Sequence, residues 1–447
     1  MPLRYRLIAA LCVAVVIAAS QFSCAPSQQN TKAALNRVAE QYVKLILRVG
    51  QYSPYYIDAY SGPAEWKPAP LADSTPQFPY EQFKAEADGL LDSLVAIEKA
   101  GLPESQKRRW RTLNDHVLSM QGMIDLLNGK QMTFDEESMA VYRVKAPSFS
   151  KAYYDSLLAK LDELLPGKGD LPTRYLEFRK QFLVPHDKVD TLVRAAIAYC
   201  RATTEKYIEL PDSEKFVVEM VSRQPWGAYN WYKGNFVSLI QVDTSKDIGI
   251  DQIVGLAAHE GYPGHHVQNL VEDGSLYRDS GRVEYCVAPL FSPRIYGEGE
   301  ANYAVKLVFP REQWLTFMKS TVCPIAGIDT TGVARYYDAL QASKKLKYAE
   351  IQVARDVVDG KLSKEDALAS EMRYGLVSQN VAEDMLAFFA AYRSYIITYS
   401  IGEDLVGDYI QTNGGTDDKP ARQWELYRSL LMNPMTGVDL QKVAAKQ

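Results

Sequence analysis

Apolar residues recur with the spacing of an α-helix along most of this chain. Side chains three and four positions apart share one helix face, so this pattern predicts helices that bury that face. Five prolines interrupt the pattern at 62–79, which is predicted to be a loop. The pattern predicts a mainly α protein, with helices at about 31–50, 80–100, 104–128, 150–164, 187–208, 250–272, 296–308, 328–358, 364–375, 378–400 and 421–432.

The pattern changes only near the middle of the chain. Residues 215–222 and 235–244 are rich in Val, Ile and Phe, a composition typical of β-strands. No linker cleanly divides the helical part into two domains. We therefore expect one mostly helical unit over 31–447, with a small β-sheet just before residue 250.

The N-terminus has the pattern of a targeting segment. Two arginines precede residues 7–19, which are uncharged and mostly aliphatic. This run is shorter than the roughly 20 residues of a membrane span and is typical of an export signal, here 1–23. Cys24 follows and resembles the lipidated first residue of a bacterial lipoprotein, with 24–30 as a polar tether. We expect an exported protein, either periplasmic or anchored to the cell-envelope membrane through Cys24.

Composition and charge narrow the function classes. The 447 residues are 47% hydrophobic and 23% charged, which is ordinary for a globular protein and unlike a disordered one. Lys and Arg number 50 against 55 Asp and Glu, so the net charge of −5 argues against a nucleic-acid groove. Only five histidines occur, and three of them fall within 259–266.

The histidine-rich segment carries candidate metal chemistry. His259 and Glu260 follow an apolar stretch that is predicted to be a buried helix. Neutral imidazoles are good zinc ligands, and an adjacent carboxylate can act as general base on a water bound to the metal. In the familiar spacing His-Glu-x-x-His the second ligand would stand at 263, which is Pro263 here.

Helix geometry leaves the second ligand open. At about 100° per residue, His265 lies roughly 120° from His259 on a straight helix, whereas His266 lies within about 20°. A straight helix would therefore choose His266. However, Pro263 and Gly264 favour a kink or bulge that could turn His265 inward instead.

A third ligand is expected from the segment 296–304. Glu298 is its best donor, because small residues at 297, 299 and 301 would allow the helix to approach a metal closely. Glu298 comes 33 residues after His265, which is enough for the chain to leave one helix and enter another.

These motifs resemble the bacterial "domain of unknown function 885" proteins, a gluzincin-like metallopeptidase family. The resembling stretches are 259–266, Glu-Gly-x-Ala-Asn at 298–302, 56–66 and 230–234. The resemblance implies a mostly helical zincin-like catalytic unit with Zn²⁺ held by two histidines and a glutamate. It assigns His259, His265 and Glu298 as ligands and Glu260 as general base, since the first histidine after Pro-Gly is the more regular one in the family.

Further positions match the family less closely. Glu300 stands where the family usually has an apolar residue, and it could be a solvated neighbour or change the charge of the site. Tyr399 matches a family tyrosine, and we predict that its hydroxyl stabilises an oxyanion, with a packed helix tyrosine as the alternative. His266 is predicted to be a further donor beside the site, or simply a helix residue.

The predicted function is zinc-dependent hydrolysis of peptide bonds. By resemblance, the strand at 236–242 is expected to be an edge strand that pairs with an extended peptide. Alternatives are a zinc hydrolase of another amide or ester, and a non-catalytic surface lipoprotein with structural zinc. A structural zinc site would not require the carboxylate of Glu260, and it would need a fourth protein ligand that the sequence does not offer. The expected partners are a peptide or other amide substrate, no nucleic acid, and a membrane only through Cys24.

Overall fold

The computed structural model describes residues 28–72, 77–224 and 226–445. The predicted export signal at 1–23 and the predicted lipidation site Cys24 lie outside the described residues. The first helix of the described residues begins at Gln28, inside the predicted tether. Helices of the N-terminal half are α1 (Gln28–Gly50), α2 (Tyr80–Lys99), α3 (Glu104–Leu127), α4 (Phe134–Val141), α5 (Lys151–Leu164), α6 (Leu171–Lys180) and α7 (Val189–Thr204).

Two small sheets lie among the helices. The strands β1 (Ile57–Tyr60) and β5 (Val287–Pro289) form an antiparallel pair. The strands β2 (Lys215–Val221), β3 (Ala228–Tyr232) and β4 (Val237–Asp243) form the sheet predicted before residue 250, in the order β2-β4-β3. The sequence pattern did not predict β1, β3 or β5.

The expectation that 236–242 is an edge strand is wrong. This segment corresponds to β4, which pairs in parallel with β2 and antiparallel with β3, so both of its edges are already hydrogen-bonded. A peptide cannot add to a central strand, because no free row of backbone donors and acceptors remains. The edges of this sheet are β2 and β3.

Helices dominate again after the sheet, as predicted. They are α8 (Ile250–Leu256), α9 (His265–Val271), α10 (Tyr296–Val308), α11 (Arg311–Phe317), α12 (Cys323–Ala326), α13 (Val333–Lys344), α14 (Lys347–Val358), α15 (Lys364–Ser370), α16 (Gln379–Tyr392), α17 (Ile397–Thr412), α18 (Pro420–Met432) and α19 (Gly437–Ala444). The predicted fold class, mainly α with a small sheet beside the histidine segment, is confirmed. None of the described helices is long and apolar enough to cross a membrane.

Helices α10 and α17 pack at backbone contact. A Cβ atom at Gly299 would overlap the backbone of Gly402, and one at Gly402 would overlap the carbonyl oxygen of Ile295. Glycine is needed at both positions, since any side chain would push the two helices apart. This close approach brings the start of α10, which carries Glu298, next to the first turn of α17.

Candidate metal centre

The histidine motif lies at a break between two helices. Helix α8 ends in a wide π-type turn at Ala257–Gly261, and α9 begins at His265. A Cβ atom at Gly264 would overlap the carbonyl oxygen of His259, so only glycine lets the chain turn this tightly. The kink considered in the sequence is therefore present, and it decides which histidine turns toward His259.

Three of the predicted site residues come together at this break. His259 Nε2 lies 3.3 Å from Glu298 Oε2, and His265 Nε2 lies 3.6 Å from the same oxygen. The two imidazole rings are nearly perpendicular, at 87°, with their centroids 4.7 Å apart. One donor atom from each residue falls within 4.8 Å of the others, so this cluster could hold a metal ion.

The donor atoms of the cluster fit a cation. Glu298 Oε1 accepts a hydrogen bond of 3.1 Å from the Tyr395 hydroxyl. Glu298 Oε2 is buried and accepts no hydrogen bond from any described residue, although it faces both imidazoles. A buried carboxylate oxygen without a proton donor is costly unless a positive charge compensates it. A metal ion between the three side chains would supply that charge.

The charges within the cluster support this geometry. Burial would raise the pKa of Glu298, but His265 and His259 hold it well below its usual range. Burial would lower the pKa of His265, but the Glu298 carboxylate outweighs burial and raises that pKa to about 10. Glu298 is therefore the anion of the cluster.

Glu260 lies beside the first histidine. Its Oε1 atom is 4.0 Å from His259 Nε2, and the residue is only 9% exposed. The backbone carbonyl of Glu260 accepts a hydrogen bond of 2.7 Å from Asn230 Nδ2 of strand β3. The carboxylate thus lies near His259 Nε2 while the edge strand holds the backbone of Glu260.

His266 points away from the cluster. It is fully buried, with Nδ1 2.8 Å from Ser238 Oγ of β4 and Nε2 2.9 Å from Glu214 Oε2. The Tyr262 hydroxyl and Arg201 also bind Glu214, which ties the turn to α7 and the sheet. The prediction that His266 is a donor at the site does not fit this position, because both of its ring nitrogens are occupied elsewhere.

Two tyrosines flank the cluster. Tyr399, predicted from the sequence, is 36% exposed, and its ring centroid lies 5.6 Å from that of Tyr395. Burial raises the pKa of the Tyr399 hydroxyl well above its usual value, and the charge of Glu298 adds to the effect, as does Glu260. Sequence reasoning missed Tyr395, although it precedes Tyr399 by one helical turn and that spacing could have found it.

Glu300 is not a solvated neighbour. It is 3% exposed, and its Oε2 atom accepts a hydrogen bond of 3.1 Å from Gln268 Nε2. Burial, with the charge of Glu272 adding to it, raises the pKa of Glu300 to about 8. The residue that departs from the family pattern is therefore part of the packing behind the cluster.

A polar cavity of about 220 Å³ lies between helix α9 and the two sheets, and none of His259, His265 and Glu298 lines it. Asn269 and Glu272 line it, one and two helical turns after His265. The opposite walls come from 59–61, next to β1, and from the turn between β3 and β4 at 232–235.

The two sheets meet beside the cluster. The Tyr229 hydroxyl of β3 donates a hydrogen bond to the Asp58 carboxylate of β1. Sequence reasoning quoted motifs that contain or adjoin both residues but gave neither a place at the site.

Comparisons with known proteins support the fold. No family model matches the chain, and none of the curated proteins matches it, so the family resemblance stays a prediction. A "putative lipoprotein" from Colwellia psychrerythraea is 13% identical, covers 82% of this chain and 69% of its own, and has a TM-score of 0.50. At this identity the likeness shows a shared fold alone.

Two other solved structures are similar at lower TM-scores. A protein from Shewanella oneidensis, also described as a lipoprotein and of unknown function, is 15% identical with 82% and 72% coverage and a TM-score of 0.45. Trypanosoma cruzi metallocarboxypeptidase 1 is 11% identical with 93% and 96% coverage and a TM-score of 0.47. TM-scores below 0.5 carry no argument about this chain.

Proposed function

We propose that this protein is a zinc-dependent hydrolase, and specifically a metallopeptidase. One observation carries the proposal: His259, His265 and Glu298 converge around a buried carboxylate oxygen that has no hydrogen-bond donor among the described residues. His259 and His265 would hold the ion through Nε2, and Glu298 through Oε2. Two histidines and one glutamate form a known catalytic zinc set, which leaves a position for water or substrate.

The side chains around this set have separate roles. Bound zinc would supply Lewis-acid activation of a water and of the scissile carbonyl. The Glu260 carboxylate would take the proton from that water and return it to the leaving amine. The Tyr399 hydroxyl would donate a hydrogen bond to the carbonyl oxygen as negative charge develops there.

Strand β3 is the better candidate for the peptide-binding edge that the sequence assigned to β4. It lies at the edge of its sheet, and Asn230 in it is hydrogen-bonded to the backbone of Glu260. A peptide that pairs with β3 would pass the cluster in an extended form. The polar cavity at the end of β3, lined by 232–235, would then receive a substrate side chain or chain end.

We also propose that the protein works in the cell envelope. The segment 1–23 has the pattern of an export signal, and Cys24 stands where a lipoprotein is lipidated. The Colwellia psychrerythraea protein that shares the fold is likewise described as a lipoprotein.

The same side chains could hydrolyse a different amide or an ester. A substrate screen must therefore show whether the protein cleaves peptide bonds, other amides or esters. A purely structural zinc site is less well supported. Structural sites normally use four protein ligands, whereas the described residues offer three in this cluster. Glu260 beside the first ligand also has no role in a structural site.

The test is the substitution Glu260→Gln, with the exposed Glu209→Gln as a matched control. We expect about one zinc per chain in all three proteins, since Glu260 is not a ligand. Digestion of a peptide library, read by mass spectrometry, should fall by about 10²- to 10⁴-fold in Glu260→Gln alone.

Three results would contradict the proposal at different points. If the purified protein contains no zinc and has no affinity for it, the proposed metal site does not exist. If Glu260→Gln cleaves as fast as wild type, Glu260 is not the general base. If zinc-loaded wild type cleaves no peptide, other amide or ester, the protein is not a hydrolase of these bonds and the zinc is structural.

A further inference from the structure

The two histidines of the cluster are each held from behind by a carboxamide. His259 Nδ1 lies 3.0 Å from Asn302 Oδ1, and His265 Nδ1 lies 2.8 Å from Gln268 Oε1. A neutral imidazole carries one hydrogen, and only the nitrogen without it can bind a metal. The group that faces Nδ1 therefore decides whether Nε2 is free to act as a ligand.

A carboxamide can present either its oxygen or its nitrogen, so its other contacts must fix the orientation. Asn302 Nδ2 lies 3.0 Å from the backbone carbonyl oxygen of Tyr399 in α17. A carbonyl oxygen only accepts hydrogen bonds, so the NH₂ group must face Tyr399. The oxygen of Asn302 must then face His259, which places the hydrogen of that ring on Nδ1.

Gln268 is fixed in the same way, but more strongly. Its Nε2 atom lies 2.8 Å from the carbonyl oxygen of Gly297 and 3.1 Å from Glu300 Oε2. The Gly297 carbonyl can only accept, so it requires the NH₂ group of Gln268, and both Gln268 and Glu300 are at least 95% buried, at 5% and 3% exposure. The oxygen of Gln268 must therefore face His265 and accept its Nδ1 hydrogen.

We infer that Gln268 and Asn302 are positioning residues that select the metal-binding tautomer of His265 and His259, and that Glu300 secures the orientation of Gln268. The inference rests on the proposed function, because it requires that the two histidines bind a metal through Nε2. It also explains the carboxyl group of Glu300, which supplies a second acceptor to Gln268, as an apolar residue cannot do.

The inference predicts a specific loss of metal affinity. Partners that orient metal-bound histidines typically contribute about 10- to 100-fold to affinity. Gln268→Leu and Asn302→Leu keep the size of the side chain but remove the acceptor, so each should weaken zinc binding by about 10- to 100-fold. Glu300→Leu should weaken it by less than about tenfold, because Gly297 still orients Gln268.

The measurement is zinc affinity by competition with a chromogenic chelator, which needs no substrate. Gln352→Leu is the matched control, since Gln352 in α14 is likewise held by hydrogen bonds, to Asp356 and Ser148, and contacts no residue of the cluster. Its zinc affinity should equal that of wild type. Equal losses in Gln352→Leu and Gln268→Leu would overturn the inference.

An exchange of the two side chains separates positioning from simple packing. In the double variant Gln268→Glu with Glu300→Gln, a carboxylate at 268 can accept from His265 Nδ1 and from the amide now at 300, although its second oxygen cannot donate to the Gly297 carbonyl. We expect this variant to bind zinc more tightly than Gln268→Leu, because it restores an acceptor for His265 Nδ1. If the double variant binds zinc no more tightly than Gln268→Leu, the inference is overturned, provided that thermal unfolding of the zinc-free proteins shows a folded chain.

The result distinguishes this inference from the proposed function. If wild type binds zinc tightly and both leucine variants bind it equally tightly, the tautomer inference fails and the metal site stands. If wild type binds no zinc, both fail together. A circular-dichroism spectrum of each zinc-free variant checks folding, and a leucine variant that does not fold is replaced by Asn302→Ser or Gln268→Ser.

Discussion

Among the described residues, Glu298, Glu300 and Glu371 are buried glutamates with a carboxylate oxygen that accepts no hydrogen bond, and two of them have opposite surroundings. One is Glu298 at the start of α10, through Oε2. The other is Glu371, just after α15, through both oxygens. Glu298 faces His259 and His265, whereas Glu371 faces another carboxylate, that of Glu350.

The geometry around Gly375 shows how close the second pair is. A Cβ atom built at Gly375 would lie 3.1 Å from Glu371 Oε2 and 3.3 Å from Glu350 Oε1. The two carboxyl groups therefore converge on the same small space, and Glu371 is only 1% exposed.

Burial raises the pKa of both glutamates, but their charged neighbours shift the two pKa values in opposite directions. Burial raises the pKa of Glu371, and the charge of Glu350 raises it further. At Glu298 the two histidines reverse the effect and lower the pKa. An unpaired buried carboxylate is thus a candidate metal ligand only where its neighbours favour the anion, whereas a neighbouring carboxylate favours a bound proton.

The largest effect is expected from Glu298→Gln. Glutamine keeps the shape of the side chain but removes the negative charge, so the cluster loses its anionic ligand. Because residues that merely orient a ligand contribute about 10- to 100-fold to affinity, loss of the ligand itself should cost on the order of 100-fold or more. Zinc per chain after dialysis against a weak chelator measures the effect.

Glu371→Gln is the control for that experiment. It makes the same change of carboxyl to carboxamide at a buried glutamate that is held as a neutral acid and does not belong to the candidate metal cluster of the described residues. It should keep the zinc content of wild type. Zinc retained in Glu298→Gln, or lost equally in both variants, would break the contrast between the two regions.

A smaller effect, on stability, is expected from Glu371→Gln. The pKa of Glu371 is raised in the folded protein, so folding favours the protonated acid. The stability that this acid contributes is present below its unfolded pKa of about 4.5 and is lost as the pH rises above that value. Glutamine cannot ionise, so the substitution should stabilise the protein at pH 8, by on the order of 1–3 kcal/mol, and change it little at pH 4.5.

Chemical denaturation at both pH values, with a chelator present, isolates this effect from the metal. Glu163→Gln in α5 is the matched control, since Glu163 is exposed and should show no such dependence. An equal change at the two pH values, or destabilisation at pH 8, would show that Glu371 is not held as a neutral acid.

The sequence predicted the features that depend on residues close together along the chain. Helical spacing located most helices within a few residues, and motif chemistry selected His259 and Glu298. It could not choose between His265 and His266, because the choice depends on how closely Gly264 approaches the carbonyl of His259. It also treated 328–358 as one helix, whereas the chain turns between α13 and α14.

Other features depend on contacts between distant parts of the chain. The family resemblance made β4 the expected edge strand, and β3, which has no β-branched residue, gave no strand pattern that would have contradicted this. The contact of Asn302 with the carbonyl of Tyr399 joins residues 97 positions apart, and that of Gln268 with Glu300 joins residues 32 apart. No local pattern specifies such pairs, so their roles followed only from the fold.

The smallest effect is expected from Tyr395→Phe, which sharpens the contrast at Glu298. The Tyr395 hydroxyl is a donor to Glu298 Oε1, at 3.1 Å, and Glu371 has no such donor among the described residues. Its removal leaves a second carboxylate oxygen without a donor and the ligand less firmly oriented. Zinc affinity should fall by about tenfold, which corresponds to about 1.4 kcal/mol.

Tyr392→Phe provides the matched control for this last substitution. The Tyr392 ring lies 6.0 Å from that of Tyr395, in the same aromatic cluster. The Glu298 carboxylate is bonded to Tyr395 and not to Tyr392, so the zinc affinity of Tyr392→Phe should match wild type. If both phenylalanine variants lose affinity equally, the effect comes from aromatic packing. If only Tyr395→Phe loses it, the hydroxyl orients the ligand, and the histidines do not act alone in holding Glu298 as an anion.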